Sequence, residues 1–111
     1  MSRFVVDASV AVKWVVPEIH ADAAARLLGR DYELLVPDLF FAEIANVFWK
    51  RVQRGQDQTE RARMALEALV AQPLQVHASA GLIASAFEIA LETKRAVYDC
   101  IYLALAVEHQ C

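Results

Sequence analysis

Short runs rich in β-branched and aromatic residues alternate along this chain with longer segments of helical periodicity. That alternation restricts the fold to the α/β class with a parallel sheet. Phe4-Val5-Val6 reads as a first strand ended by Asp7, and Ser9 is placed to cap a short helix over residues 10–16. Pro17 stops that helix, because the residue before a proline is pushed out of helical geometry. A second helix over residues 21–28 halts at Gly29, Leu34-Leu35-Val36 forms a second buried strand closed by Pro37, and a long apolar helix covers residues 39–54. Gly55-Gln56-Asp57-Gln58 turns the chain into a helix capped by Thr59 and ending near Ala71, after which Leu74-Gln75-Val76 makes a third strand. Ser79 opens the next helix, where Leu82/Ile83, Ala86/Phe87 and Ala90/Leu91 recur every four residues as one apolar stripe directed at a core. The last helix, over residues 98–108, is apolar nearly all round beyond its first turn and is expected between layers.

The 111 residues suffice for one domain with one core, expected to span residues 1–111. An apolar fraction of 58% is high, yet 20 residues are alanine and the longest apolar run, Cys100 to Val107, is eight residues. A bilayer span needs about 20. With no room for a signal peptide before Phe4, a cytoplasmic protein is expected. Cys100 and Cys111 have no second pair and no Cys-x-x-Cys spacing, so they read as free thiols. The net charge of −3 excludes a protein that coats nucleic acid through a broad basic surface, but not one that holds it at a local patch or through a metal.

Most carboxylates, such as Asp22, Asp31, Glu60 and Glu67, stand among polar neighbours and need only a solvated face. Glu43 differs: Leu39, Phe40 and Val47 lie three or four positions away, with Asn46 the sole polar neighbour on that face. Burying an unpaired carboxylate there costs several kcal/mol, so Glu43 requires a cation, a hydrogen-bonded or arginine partner, or a cleft. Asp7 ends a strand just before a helix, where open α/β sheets collect ligands, although Asp-x-Ser is also an ordinary way to cap a helix. Asp99 stands in the first turn of the last helix, which by itself is favourable placement for a carboxylate. A parallel α/β fold can bring such element ends together. Three carboxylates in proximity repel unless a divalent cation compensates them, which favours hard, oxygen-liganded Mg²⁺ or Mn²⁺. Zinc is disfavoured, since His20, His77 and His109 are scattered without metal-ligand spacing.

Three blocks carry a resemblance to a known family: Phe4-Val5-Val6-Asp7-Ala8-Ser9-Val10; Val36-Pro37-Asp38-Leu39 through Glu43-Ile44-Ala45-Asn46-Val47; and Val97-Tyr98-Asp99-Cys100-Ile101-Tyr102-Leu103-Ala104-Leu105-Ala106. They resemble, in type and order, the signature blocks of PIN domains, and most of all the VapC kind, the toxin half of type II toxin-antitoxin pairs. The resemblance implies a PIN-like central parallel sheet flanked by helices and a Mg²⁺-dependent endoribonuclease, with Mn²⁺ able to substitute. It assigns Asp7, Glu43 and Asp99 to the metal, Ser9 to support of the metal or scissile phosphate, and Asn46 to substrate contact or orientation of Glu43. RNA as substrate, a cognate antitoxin and a homodimer are the implied partners. The family continues past the Tyr-Asp helix into a further strand bearing a fourth acid beside the first strand; nothing follows Cys111 here, so the chain is expected to be C-terminally incomplete.

Lys50, Arg51, Arg54, Arg61 and Arg63 gather around the turn at Gly55, five of the eleven basic residues. Helix ends favour such residues anyway; the functional reading is a rim that contacts RNA phosphates. Trp14, Phe40, Phe41, Phe48 and Trp49 form a dense aromatic set, mostly core, with one or two available to an interface. A phosphoacceptor receiver domain fails because Leu74-Gln75-Val76-His77-Ala78 lacks an aspartate after the third strand, and a dehalogenase-like phosphatase fails because Ser9 stands where Asp-x-Asp needs its second acid. The rival that survives is a non-catalytic PIN fold acting as a nucleic-acid or protein binding module.

Overall fold

The computed structural model describes residues 2–15 and 32–111, so the helix expected over residues 21–28 and the stop at Pro17 lie outside the described residues. Three strands, β1 (Ser2–Val5), β2 (Tyr32–Pro37) and β3 (Gln75–His77), form a parallel sheet in the order β1-β2-β3. The helices are α1 (Ala8–Val12), α2 (Leu39–Gln53), α3 (Thr59–Val70), α4 (Ile83–Thr93) and α5 (Val97–His109), with a 3₁₀ turn at Ser79–Gly81. None is long and apolar enough to cross a membrane. The described residues divide into two compact units: residues 2–6, 32–39 and 74–111 form the first, and residues 7–15 and 40–73 the second.

In the first unit the central strand is the organising element. Leu34, Leu35, Val36 and Pro37 of β2 are all buried, whereas β1 is exposed over Ser2–Phe4 and β3 at Gln75 and Val76. A continuous apolar run is what a parallel strand covered on both faces requires. Register pairs Phe4 with Leu34 and Val5 with Leu35 on one side, and Leu35 with Gln75 and Val36 with Val76 on the other. Beyond β1 the ladder continues through Val6, whose N–H donates to the Leu35 carbonyl at 3.0 Å. Pro37 has no N–H to give; Asp38 supplies the closing bond instead, donating to the His77 carbonyl at 2.8 Å.

Against this sheet packs a core of Leu35, Leu82, Ala86, Cys100, Ile101, Ala104 and Leu105. The apolar stripe expected on α4 divides: Leu82 and Ala86 are buried, but Ile83, Phe87 and Leu91 are 47%, 54% and 60% exposed. Adjacent residues on a helix point about 100° apart, so only one member of each adjacent pair can face the core squarely. The last helix also departs from expectation. One face, carrying Cys100, Ile101, Ala104 and Leu105, is buried, while Tyr98, Leu103 and Val107 are exposed, so α5 is covered on one side among the described residues and not all round.

Two corners of this unit are joined by one carboxylate. Asp38 Oδ1 accepts from the Ser79 hydroxyl at 2.5 Å and from the Ser79 N–H at 3.1 Å, while the same hydroxyl oxygen accepts from the Leu39 N–H at 3.4 Å. Ser79 thus opens a 3₁₀ turn tied to the β2–α2 corner, and the α-helix proper begins only at Ile83. The Ser79 hydroxyl, then its N–H, hold the Asp38 carboxyl below its ordinary 3.8.

In the second unit α2 and α3 form a hairpin. Phe40, Ile44 and Phe48 on α2, and Ala62 and Leu69 on α3, are the buried positions. Gly55, at φ 71°, ends α2 in the left-handed conformation: its N–H donates to Val52 O at 3.1 Å and that of Gln56 to Arg51 O at 2.8 Å, the paired bonds of a Schellman cap. The Arg51 guanidinium crosses the turn to Asp57, with Nε to Oδ2 at 2.6 Å and Nη2 to Oδ1 at 3.4 Å. So closed, the turn leaves Gln58 extended as the N-cap, without a side-chain bond; Thr59, expected as the cap, is the first helical residue.

Two tests follow from this packing. Leu105→Ala removes a fully buried side chain and is expected to lower unfolding free energy by about 2–5 kcal/mol in denaturant titration, whereas Phe87→Ala, on the exposed half of the α4 stripe, is expected to change it by only about 0.5 kcal/mol. Asp38 has its folded-state pKa depressed, so its contribution is complete above 3.8 and disappears as pH falls through the lower folded value. Acid unfolding of Asp38→Asn should lose that part of its pH dependence below 3.8; an acid limb identical to that of the wild type would refute the latch.

Candidate active site

Asp7 leaves the sheet as the N-cap of α1: its Oδ1 accepts the Val10 N–H at 2.9 Å and the Ser9 hydroxyl at 2.7 Å. The helix therefore begins at Ala8 and ends at Val12, and the cap is Asp7 where Ser9 was expected. The reason is geometric. An N-cap needs extended backbone, which Asp7 has at φ −90° and ψ 168°, and Ser9 already lies inside the first turn, where it orients the aspartate. Both bonds fall on Oδ1, so Oδ2 points its lone pairs at no donor among the described residues. Asp7 and Ser9 are exposed.

Glu43 and Asn46 lie one turn apart on α2, in the same unit as Asp7. Glu43 is half-buried and Asn46 exposed, and no polar or charged side chain among the described residues is buried. On that face Phe40 is buried, while Leu39 and Val47 are, like Glu43, half-buried, so the carboxylate is only partly withdrawn from water. Asp99 belongs to the first unit, three residues into α5 after the extended N-cap Ala96, and is exposed. That position suits an anion, since the first-turn N–H groups are unpaired within the helix.

In kind, these groups fit a hard divalent cation. The donors are all oxygens, and neither Asp7 nor Asp99 is engaged in an ion pair among the described residues. No group of three or more His, Cys, Asp or Glu side chains among the described residues forms a cluster that could hold a metal. Two of the histidines meet: His77, at the end of β3, and His109, in the last turn of α5, pack with ring centroids 4.6 Å apart and planes inclined at 59°, and His77 Nε2 is buried without a hydrogen-bond partner among the described residues. Far apart in sequence, they meet only because β3 and α5 pack in one unit. His20 lies outside the described residues.

The basic group at the α2–α3 turn separates into two kinds. Arg51 is half-buried in its bond to Asp57, a structural role, and Arg63 pairs with Glu60 on the exposed face of α3. Lys50, Arg54 and Arg61 are exposed. The pairing of Arg51 with Asp57 was the residue-level role that the sequence reading missed; two opposite charges flanking a glycine turn were its visible signal. Among the aromatics, Phe40 and Phe48 are buried, Trp14 and Phe41 are half-buried, and Trp49 is 60% exposed.

Residues 4–111 match the PIN domain family. The chain is 38% identical over 106 residues to Ribonuclease VapC3 of Pyrobaculum aerophilum, covering 94% of this chain and 81% of that protein. Its fold superposes on the crystal structure of Mycobacterium tuberculosis VapC20, a toxin described as cleaving the sarcin-ricin loop, with a TM-score of 0.72 at 17% identity, covering 98% of this chain and 84% of that one. From the sheet order, the three sequence blocks and these likenesses together, the chain belongs to the PIN-domain family and is VapC-like.

Proposed function

We propose that this chain is a Mg²⁺-dependent endoribonuclease that hydrolyses RNA phosphodiester bonds, with Mn²⁺ able to substitute, and that it is the toxin of a toxin-antitoxin pair. The observation that carries the reading is the 38% identity to a ribonuclease over 94% of this chain. Asp7, Glu43 and Asp99 would hold the cation, which supplies Lewis acidity for hydrolytic attack on phosphorus and compensates the charge that develops there. Ser9 fixes the Asp7 carboxylate through its 2.7 Å hydrogen bond to Oδ1, so that Oδ2 would be the oxygen offered to the cation. Asn46, exposed one turn from Glu43, donates to substrate or steadies the glutamate. In the cell the chain acts in the cytoplasm, on RNA, as a homodimer restrained by a cognate antitoxin.

A non-catalytic PIN fold serving as a binding module is the second reading. It is favoured by one observation, that no three potential ligands cluster among the described residues.

Cleavage of an RNA substrate, followed with Mg²⁺, with Mn²⁺ and with a chelator, distinguishes the two. Asp7→Asn is the informative variant because asparagine also caps helices, so α1 persists while the charge is lost. Asp7→Asn and Asp99→Asn are each expected to reduce cleavage by about two to three orders of magnitude, the scale of losing one charge contact in the transition state. Chelation should abolish it, with either cation restoring it. Wild-type cleavage no greater than that of both variants would leave the binding module standing.

A further inference from the structure

The turn that joins α4 to α5 carries charge that the fold does not consume. Lys94, Arg95 and Ala96 separate the two helices, and both cations are exposed. Apart from Arg3, which pairs with Glu33, they are the lysine and arginine residues of the first unit. Neither lies within ion-pairing distance of a carboxylate among the described residues. Acids are at hand in the sequence, with Glu92 before the turn and Asp99 after it, both exposed. Arg95 and Asp99 even have the i,i+4 separation of a helical ion pair. Ala96 is extended between them, at φ −60° and ψ 144°, so the separation is not spanned by helix and the pair does not close. Asp99 is left for a cation, and Lys94 and Arg95 for an anion.

The backbone of this turn is fixed. Lys94 adopts the left-handed conformation at φ 59°, with its N–H bonded to the Ala90 carbonyl at 2.8 Å. Glycine ordinarily holds such a position, because a Cβ there crowds the backbone. The Thr93 hydroxyl donates to the Ile89 carbonyl at 2.8 Å, accepts the Arg95 N–H at 3.4 Å and lies 3.9 Å from Cys100 Sγ on α5. Thr93 thereby ties the turn to both helices, and the points from which Lys94 and Arg95 extend are set relative to Asp99. Tyr98, immediately before Asp99 in the first turn of α5, leaves 64% of its surface uncovered, so its ring contributes little burial to the fold.

We propose that Lys94, Arg95 and Tyr98 position single-stranded RNA at Asp99, with the two cations contacting phosphates that flank the scissile one and the Tyr98 ring stacking on an unpaired base. The assignment deepens the ribonuclease reading and rests on it. A ligand suited to all three residues must carry repeated negative charge with a flat group between the charges. A single strand of RNA has both, since its phosphates recur along the backbone and every unstacked base offers a π face. An acidic protein segment supplies the charge without an obligatory flat group, and duplex RNA keeps its bases stacked within the helix.

Binding is measured apart from cleavage, so that the two readings can fail separately. A labelled short single-stranded oligoribonucleotide is titrated with full-chain protein in chelator, and affinity is read by anisotropy at several salt concentrations. Lys94→Gln with Arg95→Gln should lower the salt slope by about 1.4, as expected for two phosphate contacts on a single strand. Lys94→Gly should lower it by about 0.7 and yet melt no lower than the wild type, because glycine relieves the left-handed position, an outcome that a structural role for the lysine would not give. Tyr98→Ala is expected to weaken binding about tenfold with the slope retained, and Tyr98→Phe to recover most of the loss. A wild-type slope in the double variant, wild-type affinity in Tyr98→Ala, or no RNA binding by the wild type would each overturn the assignment. So would a polyglutamate peptide that displaces the RNA and depends on the same three residues. RNA binding that depends on them, without cleavage in Mg²⁺, would sustain the assignment and sink the nuclease; cleavage by a protein whose variants bind RNA as the wild type does would do the reverse.

Discussion

Burial of β2 on both faces is the constraint from which the first unit follows. Leu34, Leu35 and Val36 offer apolar surface to either side, and a strand with two apolar faces is stable only when both are covered. The parallel neighbours β1 and β3 satisfy its backbone, and the packing of Leu35 with Leu82, Ala86, Ile101 and Leu105 covers one of its faces with α4 and α5. Parallel strands need helical crossovers, so both ends of β2 open onto element junctions. Asp38 stands at one of these and ties it to Ser79; Val6, bonded to Leu35, sets where the chain departs into Asp7.

Such junctions explain how polar chemistry can accompany an apolar sheet at little cost. No polar side chain is buried among the described residues, and yet Asp7, Asp38 and Asp99 all stand at the ends of elements. A carboxylate at a helix start accepts N–H groups that the helix leaves unpaired, so it can stay ionised without a cationic partner. Asp7 shows the economy of this arrangement, with Oδ1 committed to the cap and Oδ2 not bonded among the described residues.

Much of this was legible in the residues. Three strands, the long α2, the Gly55 turn and the final helix lie within a few residues of where periodicity and turn chemistry put them, because those signals are local. Caps were less legible: whether Asp7 or Ser9 begins α1, and whether Gln58 or Thr59 precedes α3, depends on which backbone is extended, and that is set by the preceding strand or turn. Burial was least legible. Ile83, Phe87 and Leu91 are as apolar as their buried neighbours, and Glu43 lies in an apolar run without being enclosed by it.

By itself, the sequence determined the α/β class, the parallel sheet and the membership of Asp7, Glu43 and Asp99 in three family-like blocks, since strand content, helical period and motif order are properties of neighbouring residues. Tertiary structure alone decided which face of α4 and α5 meets the core, that Ser79 holds Asp38 from forty-one residues away, that the rings of His77 and His109 meet, and that Trp49 stays 60% exposed. Each of these depends on which surfaces the packed elements cover, a relation between segments distant in the chain that no local pattern encodes.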